Sequence, residues 1–414
     1  MSAALSPSAS HEQQARYAAH FLATRMKANG NHLNFPASTF ADTGNTIDAI
    51  LALDASGTGG AAAEAATTWV GKNARDYVAF GGGPLSGGGA GKVLVLAAST
   101  NRSPDAFVNG LVGDLQQLLT ATGRFGSSSN DYAVTINQAL AMIGLQRAGA
   151  GVPPASLTYL AAQQCANGGV RGTLDKAPCT ADPDATAFAT QAFLSAGETA
   201  RAGRALDYLE SQQRSDGGLA NSSGEGANAN TTGVAAQAFA LGGRRAAYRA
   251  GASFILGLQW GCEVAEPNRG GIAFTLKTMS TKQENVDSAI RATPQATLGL
   301  LAGSLVTVAS GAATADTLAM PCAAAPMPAS APPVPSATPA PSAPSAPSAP
   351  DPSTVGEPAE PMAAVAVASA AGGPSALADT GVEVWPTALT GLVLLLAGAG
   401  AVGLSRVRRR GGHA

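Results

Sequence analysis

The 414-residue chain carries 25 Lys and Arg against 27 Asp and Glu, a formal net charge of −2, with no basic stripe. That balance excludes nucleic acid as an expected partner, because phosphates demand clustered cations. Its four cysteines form no CxxC pair and have no histidine nearby, which excludes a zinc centre, and no other metal or cofactor is implied.

Met1 to Ser10 has the small residues Ala3, Ala4, Ser8 and Ala9 but neither a charged nor an apolar stretch. Residues 1–10 therefore read as the remnant of a secretory signal whose start lies upstream. For an exported chain disulfides are expected. Four cysteines allow three connectivities, and proximity selects Cys165–Cys179 and Cys262–Cys322.

Residues 11–312 repeat. Three stretches align on an aromatic, a Gln and a Gly pair. They are Tyr159 with Gln164 and Gly168-Gly169, Tyr208 with Gln213 and Gly217-Gly218, and Phe254 with Gln259 and Gly270-Gly271. Each precedes an Ala-rich segment opening on Thr186, Thr232 or Thr293, and degenerate copies lie at Thr46, near Lys92 and at Thr135. Six Ala-rich helices, each after a more amphipathic one, call for a repeat architecture. Small residues on every face place the Ala-rich helices inside and the amphipathic ones outside. The expected fold is all-α, an α/α toroid of six helical hairpins.

The run Arg204-Ala205-Leu206-Asp207-Tyr208-Leu209, with Gln213 and Gly217, resembles the QW-type repeat of the prenyltransferase and squalene cyclase superfamily. It departs at the final Trp, where Leu219 stands here and Val170 in the preceding copy. Asp182-Pro183-Asp184-Ala185-Thr186-Ala187 is similar to the superfamily's Asp-x-Asp-Asp-Thr-Ala motif except at Ala185. The resemblance would make Asp184 a proton donor beside Asp182, since paired carboxylates raise one pKa. Against it stand a single toroid, few aromatics and the missing third Asp. Capping of the fourth inner helix by Asp184 is the expected role. None of His11, His20, His32 and His413 falls in the second half of the toroid, so the zinc triad of protein prenyltransferases is absent from the sequence.

Toroids also serve glycoside hydrolases and polysaccharide lyases, which need paired carboxylates across a cleft. Asp42, Asp131, Asp184, Glu225 and Asp287 all lie near expected inner-helix starts. Parallel inner helices bring their positive N-terminal ends to one mouth, together with the Gly-rich loops before them. That mouth is the expected ligand face, with Asp184, Asn230 and Arg291 as binding residues. The expected function is non-catalytic binding of a small molecule, lipid or glycan. The alternative is a terpenoid-cyclase-like or carbohydrate-active surface enzyme using Asp184.

Residues 323–374 are Pro, Ala and Ser, as in Ala340-Pro341-Ser342-Ala343-Pro344, and read as an extended stalk at ~3.1 Å per residue. The 377–414 tail follows. Leu377-Ala378-Asp379-Thr380-Gly381 precedes Trp385, an apolar run over 386–404 and the basic Arg406-Val407-Arg408-Arg409-Arg410. The run is near membrane-spanning length, and its C-terminal cations keep the tail cytoplasmic. This order resembles the sorting signal of Gram-positive surface proteins in its actinobacterial form. The resemblance implies cleavage between Thr380 and Gly381 by a sortase, of class E type, and covalent attachment of Thr380 to peptidoglycan.

Overall fold

The computed structural model describes residues 5–79, 82–126, 134–222, 224, 226–309 and 316–322. The stalk, Leu377–Gly381 and the 386–404 run lie outside them. Among the described residues no helix is long and apolar enough to cross a membrane. Pro321–Pro374 separates as a second unit, of which only Pro321 and Cys322 are described.

Helices alternate between outer and inner layers. In chain order the hairpins are α1 (Ala9–Ala28) with α2 (Thr43–Ser56), and α3 (Gly60–Val78) with α4 (Gly87–Ser99). A broken outer segment, α5 (Pro104–Phe107) and α6 (Leu111–Gln117), precedes α7 (Thr135–Arg147). Then come α8 (Pro154–Ala162) with α9 (Pro183–Ser195), α10 (Thr199–Gln212) with α11 (Ala229–Leu241), and α12 (Arg245–Leu256) with α13 (Gln283–Leu300). Each inner helix packs on its two ring neighbours, and α13 packs on α2 and α1, closing the ring. This is the six-hairpin α/α toroid. Helix α1 starts at Ala9, inside residues 1–10, and the Ser8 side chain accepts the His11 N–H at 3.2 Å.

Composition decides the layers. In α9 every residue from Pro183 to Phe193 is buried, whereas α10 buries only Ala202, Ala205, Leu206, Tyr208 and Leu209. Inner helices touch where side chains vanish: a Cβ on Gly233 of α11 would lie 2.8 Å from Gln295 O of α13.

The repeat is a hydrogen-bonded clasp. Gln213 Nε2 donates to Gly217 O at 3.0 Å and to Ala247 O of the next outer helix at 2.9 Å. Gln164 does the same to Gly168 O and Arg201 O, and Gln259 to Gly270 O and Gln14 O. The last of these joins α12 to α1 and so closes the outer layer. Beyond the Gly pair, the N–H of Val170, Leu219 and Ile272 donates to Thr186, Thr232 and Thr293 Oγ1 at 2.8–2.9 Å. Leu33 N donates likewise to Thr46.

Those threonines were expected to open the inner helices, but α2, α9 and α11 begin one turn earlier. Helix α13 begins earlier still and runs through Pro294. A proline has no N–H for the carbonyl four residues back. Asn45 Nδ2 donates to that carbonyl, Ile290 O, at 3.2 Å, so the group is not orphaned.

A buried polar network links neighbouring inner helices. Lys92 Nζ meets Asp48 Oδ2 at 2.8 Å, with both side chains buried. Gln295 Nε2 donates to Asp48 Oδ2 at 3.3 Å, and Asn230 Nδ2 to Gln295 Oε1 at 3.1 Å. At the C-terminal ends of the inner helices, Arg147 donates to Val306 O and Val308 O, and Leu305 N to Gln191 Oε1. The segment from Leu305 to Val308 is thereby held against α7 and α9. Cys165–Cys179 is a disulfide with Cα atoms 5.6 Å apart. Cys262 and Cys322 are also disulfide-bonded, and no cysteine is free.

Candidate active site at the mouth of the toroid

The N-termini of the inner helices share the open end. At α9 the cap is Asp182, and this corrects the expectation that Asp184 fills that role. Asp182 Oδ1 accepts Ala185 N at 2.9 Å, while Oδ2 accepts Ser222 N at 3.3 Å and Ser222 Oγ at 2.7 Å. Pro183 occupies the first helical position, where a missing N–H costs nothing. Asp184 is thereby turned inward.

Asp184 is fully buried, and neither carboxyl oxygen has a hydrogen-bond partner among the described residues. Thr231 Oγ1 of α11 is in the same condition. Burial pushes the Asp184 pKa well above the ordinary carboxylate range, and the Asp182 carboxylate pushes it further. Thr231 and Asn221 act in the opposite direction without reaching hydrogen-bonding geometry to it. The uncharged acid is the form this environment favours.

The remaining expected residues divide. Asn230 is buried, and its amide donates to Gln295 Oε1 at 3.1 Å, which ties it to the polar network of the inner helices. Arg291, half-buried on α13, faces Asp42; its charge lowers the Asp42 pKa, while burial raises it more. Asp42 caps α2 through Asn45 N at 2.9 Å. Since α2 and α9 lie on opposite sides of the ring, Asp42 and Asp184 belong to opposite sides of the mouth. Asp287 holds a loop: Oδ2 accepts Ala37 N at 3.1 Å, and Oδ1 accepts Gln283 Nε2 at 2.7 Å. Asp131 and Glu225 lie outside the described residues. Among the described residues no group of acidic, His and Cys side chains is arranged to hold a metal.

The sequence reading missed a groove of about 1050 Å³ on the rim, between residues 33–40, the end of α1 and the start of α13. Its signal was Phe35-Pro36 and Phe40 in a loop of a chain that is only 5% aromatic.

No family model and no curated protein matches the sequence. Solved structures do match. A protein from Actinoplanes is 17% identical, with a TM-score of 0.51 over 70% of this chain and 99% of that one. A glycosidase variant with one substitution is 11% identical, with a TM-score of 0.50 over 72% and 97%. An unsaturated glucuronyl hydrolase from Bacillus sp. GL1 is 11% identical, with a TM-score of 0.45 over 68% and 96%. The first two matches agree with the α/α toroid described above, and at these identities what they establish is the fold.

Proposed function

We propose that this chain is a carbohydrate-active α/α toroid, working at its open mouth with Asp184 as proton donor. The observation that carries the reading is the fully buried Asp184 carboxyl, favoured in its acid form beside Asp182, with neither oxygen in hydrogen-bonding geometry to a described residue. Cleavage of a glycosidic bond needs an acid that keeps its proton at working pH and a second carboxylate nearby. Strained or unsatisfied groups of this kind collect at functional sites. The glycosidase with the same fold supports carbohydrate as the substrate class. The terpenoid-cyclase alternative has less support, because the motif's third Asp is Ala185.

Asp184 is closed off in this conformation. Ser222 is tied to Asp182, so the Asn221–Ser222 segment has to shift before a leaving-group oxygen reaches the acid. For display, the reading uses the tail: a sortase joins Thr380 to peptidoglycan, after the 386–404 run has held the precursor in the membrane. The two disulfides agree with an extracellular location.

The test is mass spectrometry of saccharides after incubation with soluble peptidoglycan fragments and with neutral and uronate-containing oligosaccharides. The wild-type chain should release shorter saccharides. Asp184→Asn should slow release about 10²–10⁴-fold, the usual weight of a general acid, with an unchanged circular dichroism spectrum. Equal rates in the two proteins, or no product from any substrate, would overturn the reading. A non-catalytic glycan binder is the second reading. It is favoured by the buried network of Lys92, Asp48, Gln295 and Asn230, which ties inner-helix polar groups to one another.

A further inference from the structure

The rim groove presents an aromatic ring on a loop that is held in place. Phe40 is 62% exposed although it lines the groove. Its loop is stiff. Asn34 and Ala41 pair as an antiparallel bridge, and Phe35 N donates to Phe40 O at 3.0 Å. Ser38 N donates to Phe35 O at 3.2 Å, and the Ser38 hydroxyl accepts Phe40 N at 2.9 Å. Ala37 sits at φ 49°, a strained setting for a residue with a Cβ. Asp287 holds Ala37 N there and is itself held by Gln283. An exposed ring on a loop pinned at both ends and at its tip is pre-organised, which reduces the entropy lost on binding.

The lining is polar as well as aromatic. Asn34, Gln283 and Asp287 line the groove beside Phe40, and part of Arg25 does too. Arg25 is otherwise anchored, donating to Pro267 O at 2.8 Å and to Asn268 Oδ1, with its guanidinium over the Phe21 ring. Amide and charged side chains and an aromatic face within one groove match the hydroxyls and C–H face of a sugar. The charge pattern selects further: Arg25 and Asp287 attract one another across the groove, so the lining offers no net charge to an anion. Stacking on Phe40 requires a sugar face made of C–H groups, and pyranoses with equatorial hydroxyls have one.

We propose that this groove is a glycan subsite for an uncharged β-linked pyranose chain, separate from the Asp182–Asp184 centre. It rests on the carbohydrate reading of the mouth and extends it. The groove is formed by α1 and α13 with the loop leading into α2, across the ring from α9. A ligand serving both places is therefore a polymer, gripped at the rim while another of its sugars reaches the mouth. The volume of about 1050 Å³ lies at the upper end of the usual range for ligand sites, which suits several sugar rings better than one.

Calorimetry on the full chain carrying Asp184→Asn tests this without turnover, using hexamers of β-linked glucose and of β-linked N-acetylglucosamine. At least one hexamer should bind, its dimer at least about tenfold more weakly. Adding Phe40→Ala should cost at least about tenfold in affinity with no change in Tm, and Phe40→Trp should restore binding. No heat with either hexamer, or equal affinity in Phe40→Ala, overturns the proposal. Failures separate cleanly. Phe40-dependent binding without product from the wild-type chain would support the subsite and remove the catalytic reading. Asp184-dependent product with the same KM in Phe40→Ala would do the reverse.

Discussion

Gly217→Ala is expected to cost about 3–5 kcal/mol of stability. Gly217 sits at φ 86°, and a Cβ there would lie 2.1 Å from Ala250 O of the next outer helix. Strain and overlap both contribute. Neither can relax cheaply, because Gln213 Nε2 fixes Gly217 O and Ala247 O on either side of the contact. Gly149→Ala is the control: φ is 78°, but nothing lies within 4 Å of the added carbon. That change should cost only about 1 kcal/mol, the price of the backbone conformation alone. Thermal melts of the two variants measure the difference, and similar losses would mean that the clasp does not bear on stability.

Lys92→Ala is expected to cost about 3–5 kcal/mol, the usual result of leaving one member of a buried ion pair without its partner. Asp48 would then lose its cation in a buried setting, with the Gln295 amide at 3.3 Å still beside it. Replacing both members, as Lys92→Met with Asp48→Leu, should recover most of that loss, since the desolvation of both charges disappears with them. Denaturant unfolding of wild type, both single variants and the double variant gives the coupling. A double variant as unstable as Lys92→Ala would show that the axis depends on the charges themselves.

How much was readable in advance follows from what each residue does. Gln164, Gln213 and Gln259 recur because each bridges its own glycine to the next outer helix, so sequence spacing and structural repeat are one fact. Thr186, Thr232 and Thr293 also recur, but for the loop N–H groups they accept and not for opening helices. That is why the helix starts were misplaced. Asp182 and Asp184 both satisfy the residue preference of a cap, and that preference alone does not tell which one turns inward. Pro183 between them settles it, because it takes the first helical position. Asn230 looked available because its partner Gln295 is distant in sequence. The Phe40 groove depends on a pairing of Asp287 with Ala37 across the whole domain, which no local pattern announces.

The account centres on Asp184 being held as an uncharged acid beneath the mouth, and the pH dependence of stability tests that directly. Unfolded, Asp184 titrates near 3.9. Folded, its pKa is raised by burial and by Asp182. Between those two values the folded chain binds one proton more than the unfolded chain, so wild-type stability from this site falls as pH rises through the window. Asp184→Asn has no proton to lose and no charge to bury. Melting both proteins between pH 4 and pH 7 should show nearly equal Tm at the acid end. Toward neutrality Asp184→Asn should become progressively the more stable of the two. A gap that stays constant with pH, or a variant less stable than wild type at pH 7, would contradict the account.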